Sequence, residues 1–150
     1  MSDSELVIRK MTDEDAANLA AIEEETFSMP WKVSDFLEMN AHDEVTYLVA
    51  ELNGTIIGGC GIMNVAGDGE ITNVVIRKEY RGRGYAYQML QRLLEEGEKL
   101  GATDFTLEVR VSNEPAIRLY KKLGFESAGI RPGFYDKPKE DAEIFWKRQH

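Results

Sequence analysis

The chain has 150 residues, of which 43% are apolar and 30% are charged. This length suits one domain with a single core, and the composition excludes disordered, collagen-like and disulfide-rich classes. We therefore expect one globular domain over residues 1–150.

Cysteine content and apolar run length bear on the compartment. The longest apolar runs are far shorter than the roughly 18 residues that cross a bilayer, and the first residues are acidic, unlike a secretory signal. Cys60 is the single cysteine, so neither an internal disulfide nor a cysteine metal cluster is possible, and we expect it to be a small core residue. These features predict a cytoplasmic protein without a membrane anchor.

The net charge of −9 is unevenly distributed. Residues 1–75 carry 3 Lys+Arg and 15 Asp+Glu, whereas residues 76–150 carry 15 and 12. Nucleic-acid binding is not expected, because affinity for phosphate backbones comes from clustered Lys and Arg. An anionic ligand would suit the second half and a cationic partner the first, although ordinary solvated surfaces would carry the same charges.

The first third of the chain predicts one strand and two helices. Thr12 and Asp15 resemble an N-terminal capping arrangement, and apolar residues at helical spacing follow as far as Phe27. Pro30 interrupts this pattern, which resumes at Val33 in a short second helix. The predicted elements are a strand at 6–9 and helices at 16–27 and 33–37.

Turn signals divide the next segment into three strands. Asn53-Gly54 is the strongest short hairpin signal, and runs of β-forming residues flank it. Gly67-Asp68-Gly69 predicts a second turn. The predicted strands are 45–52, 55–63 and 70–76.

The second half predicts two helices between strands. Apolar residues at i, i+3, i+4, i+7 spacing run for four turns from Tyr85, and Gly101 supplies the stop. Asn113 predicts the cap of a further helix that Gly124 closes. The remaining predicted strands are 104–109, 125–130 and 142–146. This order predicts an α/β fold with a mixed sheet and helices on its faces.

A glycine-containing loop joins a predicted strand to the helix at Tyr85. Gly82 and Gly84 allow close approach of a ligand, and a helix N terminus offers free N–H groups and a favourable dipole to an anion. These are the parts of a pyrophosphate site. The spacing matches neither a triphosphate-binding loop nor a dinucleotide fingerprint, and a plain tight turn also explains it.

Glu108 and Tyr120 are the two residues whose side chains could transfer protons. The apolar residues of strand 104–109 share one face, so Glu108 lies on the other, in a sheet that we expect to be covered on both sides. Such a carboxylate either pairs with a basic neighbour such as Arg110 or acts as a base. Tyr120, considered alone, is a core aromatic on an apolar helix face.

Together these motifs resemble the GCN5-related N-acetyltransferase (GNAT) superfamily, in its ribosomal-protein-alanine N-acetyltransferase (RimI-like) branch. Arg81-x-x-Gly84-x-Ala86 matches the family's acyl-CoA loop, Arg/Gln-x-x-Gly-x-Gly/Ala. The resemblance covers nearly the whole chain, through Met29-Pro30-Trp31, Leu107-Glu108-Val109-Arg110, Ser112-Asn113, Leu119-Tyr120 and Leu123-Gly124-Phe125. Residues 130–135 depart from the family's Arg-Arg-x-Tyr-Tyr by one tyrosine hydroxyl and one guanidinium.

The resemblance implies the GNAT fold, a central mixed sheet of about seven strands flanked by about four helices, and acetyl-CoA as cosubstrate. It implies that Glu108 is the general base, that Tyr120 protonates the leaving thiolate, and that a backbone N–H near Val75 stabilises the oxyanion. The cofactor-binding residues that it implies are Val74, Val75, Ile76, Arg81, Gly82, Arg83, Gly84, Tyr85, Ala86, Tyr87 and Asn113. No metal is expected, since His42 and His150 lack partners at ligand spacing.

The acceptor that the resemblance implies is a protein N-terminal α-amine, foremost the N-terminal Ala of a small-subunit ribosomal protein. The expected partners are acetyl-CoA and a basic protein, with neither nucleic acid nor membrane. Acetylation of lysines or small amines remains an alternative. A non-catalytic acyl-CoA-binding module is another, although the presence of both Glu108 and Tyr120 speaks against it.

Overall fold

The computed structural model describes residues 6–148. The first residues, which bear on the expectation of no secretory signal, and His150, which bears on the expectation of no metal, lie outside this range. The α-helices are α1 (Ala16–Thr26), α2 (Val33–Asn40), α3 (Tyr85–Lys99) and α4 (Glu114–Lys122), with 3-10 turns at Asp13–Asp15 and Lys78–Tyr80. The strands are β1 (Leu6–Lys10), β2 (Val45–Leu52), β3 (Thr55–Val65), β4 (Asp68–Ile76), β5 (Asp104–Arg110), β6 (Glu126–Tyr135) and β7 (Glu140–Arg148).

The described strands form one mixed seven-stranded sheet in the order β1-β2-β3-β4-β5-β7-β6. β4 and β5 are parallel, and the other neighbouring pairs are antiparallel. The predicted mixed sheet with about seven strands and four helices is confirmed.

Several predicted boundaries differ from the structure by up to five residues, and two of these differences have a clear structural cause. Ala66 and Gly67 both have positive φ (53° and 95°), so the turn lies at these residues and β4 begins at Asp68; the predicted Gly67-Asp68-Gly69 turn is wrong in its residues. β6 was predicted to end at residue 130 but continues to Tyr135. It is the edge strand, where Pro132 is tolerated and pairing with β7 is interrupted between Arg131 and Tyr135.

Helices cover the sheet unequally. On one face, α3 and α4 bury a core that includes Leu93, Phe105, Phe145 and, as predicted, Cys60, each 0% exposed. On the other face, α1 packs on β3 and β4, and α2 packs on β2. The residues of β6 are exposed except for Tyr135, which is half-buried. On the side of the sheet that carries α1, the part formed by β5, β7 and β6 is therefore accessible.

No helix within residues 6–148 has both the length and the apolar character that a bilayer-spanning helix needs.

Candidate active site

The centre of the sheet opens where β4 and β5 separate. Within the described chain these strands pair only between Asp68–Glu70 and Asp104–Thr106, yet β4 continues to Ile76 and β5 to Arg110. The predicted cofactor-binding residues Val74–Ile76 lie on the edge of β4 that faces this gap. Unpaired strand edges bind extended chains by main-chain hydrogen bonds, so an elongated ligand fits here as an added strand.

A β-bulge in β4 accounts for the separation. Gly61 pairs with Asn73 and Ile62 pairs with Ile71, which leaves Thr72 as an extra residue in β4. A bulge bends its strand and increases the local twist, so β4 turns away from β5 just past Glu70.

The loop at the end of β4 presents free N–H groups. Gly82 and Gly84 have φ of 76° and 83°, and a Cβ built on either has no atom of residues 6–148 within 4 Å. The first paired N–H at the start of α3 is that of Gln88, which donates to Gly84 O at 3.2 Å. Among the described residues, the N–H groups of residues 82–87, all predicted to bind the cofactor, have no hydrogen-bond acceptor in the backbone and lie at a helix N terminus, where an anion is favoured.

Arg81 and Arg83 flank this loop, whereas Asn113 lies at the start of α4. Arg81 Nε donates to Ile76 O at 2.9 Å and ties the loop to β4. The Arg83 guanidinium lies 5.7 Å from the centre of the Tyr80 ring. Asn113 caps α4, its side chain accepting from Ala116 N–H at 3.3 Å. Tyr85 and Ala86 are half-buried in the first turn of α3.

Lys122 is a basic residue of this region that the sequence reasoning missed. Its Nζ lies 4.8 Å from the centre of the Tyr87 ring, which places a positive charge beside the start of α3. The available signal was the basic last turn of α4, Lys121-Lys122.

Glu108 does not form the ion pair with Arg110 that one sequence alternative proposed. Arg110 instead donates to Glu140 Oε1 at 3.2 Å, and its guanidinium lies 4.4 Å from the Tyr135 ring centre. Glu108 has no ion pair within the described chain and is exposed. The sheet was expected to be covered on both sides here, but this face of β5 is covered only in part, since Thr106 is buried whereas Glu108 is exposed.

Partial burial raises the pKa of the Glu108 carboxyl, while the charge of Arg131 opposes this shift and that of Glu70 adds to it. Arg131 lies two strands away across β7, where Ala142 pairs with both Arg110 and Arg131. Glu108 is therefore more basic than an ordinary glutamate, which suits a group that must accept a proton.

Tyr120 is buried, 7% exposed, with its ring packed at 6.0 Å and 6.4 Å from those of Phe125 and Phe145. Burial raises the pKa of Tyr120, so the phenol stays protonated at neutral pH.

Tyr135 connects the two residues predicted to be catalytic. Burial and the charge of Glu108 raise the pKa of Tyr135, and Tyr135 in turn raises that of Tyr120. The charge of Glu108 thus acts on Tyr135, and Tyr135 acts on Tyr120. Sequence reasoning gave Tyr135 no role, because its electrostatic coupling to Glu108 arises only in the folded sheet.

Within residues 6–148 no three His, Cys, Asp or Glu side chains are grouped to hold a metal ion. The described chain instead offers a free strand edge, a helix N terminus with free N–H groups, an exposed carboxylate whose pKa is raised, and two phenols whose pKa values are raised. These groups suit acyl transfer from an elongated anionic donor to a nucleophile that must lose a proton, so they define the site of an acyltransferase.

Residues 16–125 match the Acetyltransferase (GNAT) family. The chain belongs to this family and is an acetyl-CoA-dependent N-acetyltransferase.

Similar proteins cover almost the whole chain. A Bacillus subtilis (strain 168) protein, provisionally named a ribosomal protein bS18-alanine N-acetyltransferase, is 40% identical over 93% of each chain. The crystal structure of the Escherichia coli ribosomal-protein-S18-alanine N-acetyltransferase superposes with a TM-score of 0.86 and 28% identity, over 95% of this chain and 92% of that one. A Salmonella typhimurium protein, provisionally named an acetyltransferase and solved with its cofactor acetyl-CoA, shares the fold at a TM-score of 0.85 and 19% identity, over 98% and 95%.

The open space at Gly84 yields a first prediction. Gly84→Ala places a methyl group among the free N–H groups and should weaken acetyl-CoA binding about 10-fold in calorimetry, because the anion can no longer approach the backbone closely. Gly54→Ala is the matched control, since Gly54 has φ of 84° and equally open surroundings but lies in the β2–β3 hairpin. Equal affinities in the two variants would remove the loop from the cofactor site.

Proposed function

We propose that this N-acetyltransferase modifies a protein N-terminal α-amine, foremost the N-terminal Ala of a small-subunit ribosomal protein, acting in the cytoplasm as a single catalytic domain. The names of the Bacillus subtilis and Escherichia coli relatives support the acceptor. The observation that carries the chemistry is the exposed, unpaired Glu108 carboxylate across the gap from the free edge of β4.

Acetyl-CoA would lie in the gap between β4 and β5. The edge at Val74–Ile76 would pair with its pantetheine arm, and residues 82–87 would hold its pyrophosphate. Arg81, Arg83 and Asn113 would contact the cofactor along this path. This placement would bring the thioester carbonyl near a backbone N–H close to Val75, where such a donor stabilises an oxyanion.

Proton transfer would begin at Glu108. Its carboxylate, directly or through water, takes a proton from the acceptor ammonium, and the free amine nitrogen attacks the thioester carbonyl carbon. The C–S bond then breaks with formation of the amide, the nitrogen's second proton is lost to solvent, and Glu108 releases the first proton to solvent before the next turnover. The Tyr120 O–H donates to the departing thiolate, so no covalent acyl-enzyme is needed.

An α-amine suits a carboxylate base better than a lysine does. With a pKa of about 7.7 to 8.0, roughly a tenth or more of α-amino groups are neutral at pH 7, whereas about one lysine in 2,500 is neutral at a pKa of about 10.4. The acidic first half of the chain, which includes α1 and α2, also favours a basic acceptor protein.

The proton-transfer roles predict the effect of two substitutions. Glu108→Gln and Tyr120→Phe should each lower kcat by about 10²- to 10⁴-fold, because each removes one positioned proton-transfer group. Acetyl-CoA affinity, measured by calorimetry, should change less than about twofold. Glu126→Gln, on exposed β6, is the control and should keep full activity. Near-normal turnover of both variants over a full pH profile would contradict the assignment.

The charge of Arg131 predicts a shift in the pH profile. The rate falls as pH drops through the pKa of Glu108, since only the carboxylate accepts a proton. Arg131 lowers that pKa, so Arg131→Gln should move the acidic limb of the profile to higher pH. Arg118→Gln, on the exposed side of α4, should leave the limb in place. An unmoved limb in Arg131→Gln would show that Glu108 does not set it.

The acceptor is tested with two matched basic peptides, one with a free N-terminal Ala and one blocked there but carrying free lysines. Mass spectrometry after incubation with acetyl-CoA should show modification of the first alone. Added salt should lower the rate, because it screens the attraction between an acidic surface and a basic peptide. Acetylation of the blocked peptide alone would favour the lysine or small-amine alternative.

A further inference from the structure

Glu23 is a buried carboxylate that takes no part in the proton transfers proposed above. It lies in α1 and is 2% exposed. Glu23 Oε1 accepts from Trp31 N–H at 3.1 Å, and Oε2 accepts from Asn73 Nδ2 at 2.8 Å. Trp31 belongs to the α1–α2 loop (residues 27–32), and Asn73 follows the bulge of β4. One side chain therefore fastens this loop to the strand that borders the cofactor gap.

The α1–α2 loop is also attached on the opposite side of the gap. Ser28 Oγ donates to Lys137 O in the β6–β7 turn (residues 136–139). Arg110, at the end of β5, donates to Pro138 O at 2.9 Å in the same turn. The loop thus connects to β4 through Glu23 and to β5 through this turn, and it crosses the cleft that contains Glu108.

We propose that Glu23 is a positioning residue for the acceptor: by holding the α1–α2 loop against β4, it fixes the opening through which the acceptor amine reaches Glu108. This inference rests on the proposed function, because it requires that the acceptor enter the cleft beside this loop.

The choice of a carboxylate supports a positioning role. Burying a charge costs free energy, and well-packed apolar residues often stabilise a protein as much or more. Burial does raise the pKa of Glu23, although its two donors favour the ionised form. The loop already has apolar packing, since the Trp31 ring centre lies 5.2 Å from that of Phe36. What the carboxylate adds is two directed hydrogen bonds.

The test compares Glu23→Gln with a compensating pair. In Glu23→Gln, the single amide oxygen can accept from only one of the two donors, Trp31 N–H or Asn73 Nδ2. The amide N–H group then faces the other donor, so one of the two hydrogen bonds is lost. Combining Glu23→Gln with Asn73→Asp restores a donor–acceptor pair and the net charge. Glu24→Gln, at the adjacent exposed position, is the matched control.

Glu23→Gln should raise the KM for the N-terminal-Ala peptide about 10-fold, with kcat changed less than about threefold. The acetyl-CoA dissociation constant should stay within about twofold. In a Trp146→Phe background, emission from Trp31 should shift to longer wavelength as the loop becomes more exposed. The double variant should restore both the KM and the emission.

Two outcomes would overturn the inference. One is a shift in Trp31 emission with an unchanged KM, which would show that the loop moves without affecting the acceptor. The other is a parallel loss of acetyl-CoA affinity and peptide affinity that the double variant does not rescue, as a purely structural role predicts. A wild-type chain inactive on the Ala peptide contradicts the proposed function instead, and the same KM comparison is then made on the blocked lysine peptide.

Discussion

The candidate active site depends on the separation of strands β4 and β5. The two strands pair over three residues, after which the extra residue Thr72 bends β4 away. A single backbone irregularity thereby creates a free strand edge in the middle of a sheet, where pairing would otherwise be complete. The same divergence places the start of α3 at one end of the gap and exposes Glu108 on the opposite strand. Moving the bulge would therefore disturb the proposed cofactor path and the proposed base together.

Local features of the sequence were enough to predict most elements and the glycine-containing loop at the start of α3. The Asn53-Gly54 hairpin, the four-turn apolar pattern of α3 and the glycines before it each involve residues close together in the chain. The position of Glu108 opposite the apolar face of β5 also followed from strand alternation. Whether that face is covered could not be predicted, because coverage depends on where α1 and α2 pack.

Contacts between distant residues account for what the sequence reasoning missed. Arg110, two positions from Glu108, was one expected partner for it. In the structure the Arg110 guanidinium instead forms a salt bridge with Glu140, thirty residues further along the chain. Tyr135 approaches Glu108 only after β7 has brought β6 to the cleft. The bond between Glu23 and Asn73 joins residues fifty apart. Neither periodicity nor spacing contains this information, since each pairing follows from the sheet order.

In the proposed mechanism, the base and the acid differ in how deeply each is buried. Glu108 is exposed, so an incoming ammonium would reach its carboxylate, and the charge of Arg131 opposes the rise in its pKa that burial causes. Tyr120 is 7% exposed and burial raises its pKa, so it would hold its proton until negative charge develops on the sulfur. Complete proton transfer to a thiolate of pKa about 8.5 is uphill, so the proposed acid would act chiefly by donating a hydrogen bond to the sulfur. The proposed acceptor would then arrive on the accessible face and the thioester on the buried side, a separation that the α1–α2 loop, bonded to β4 and to the β6–β7 turn, would maintain.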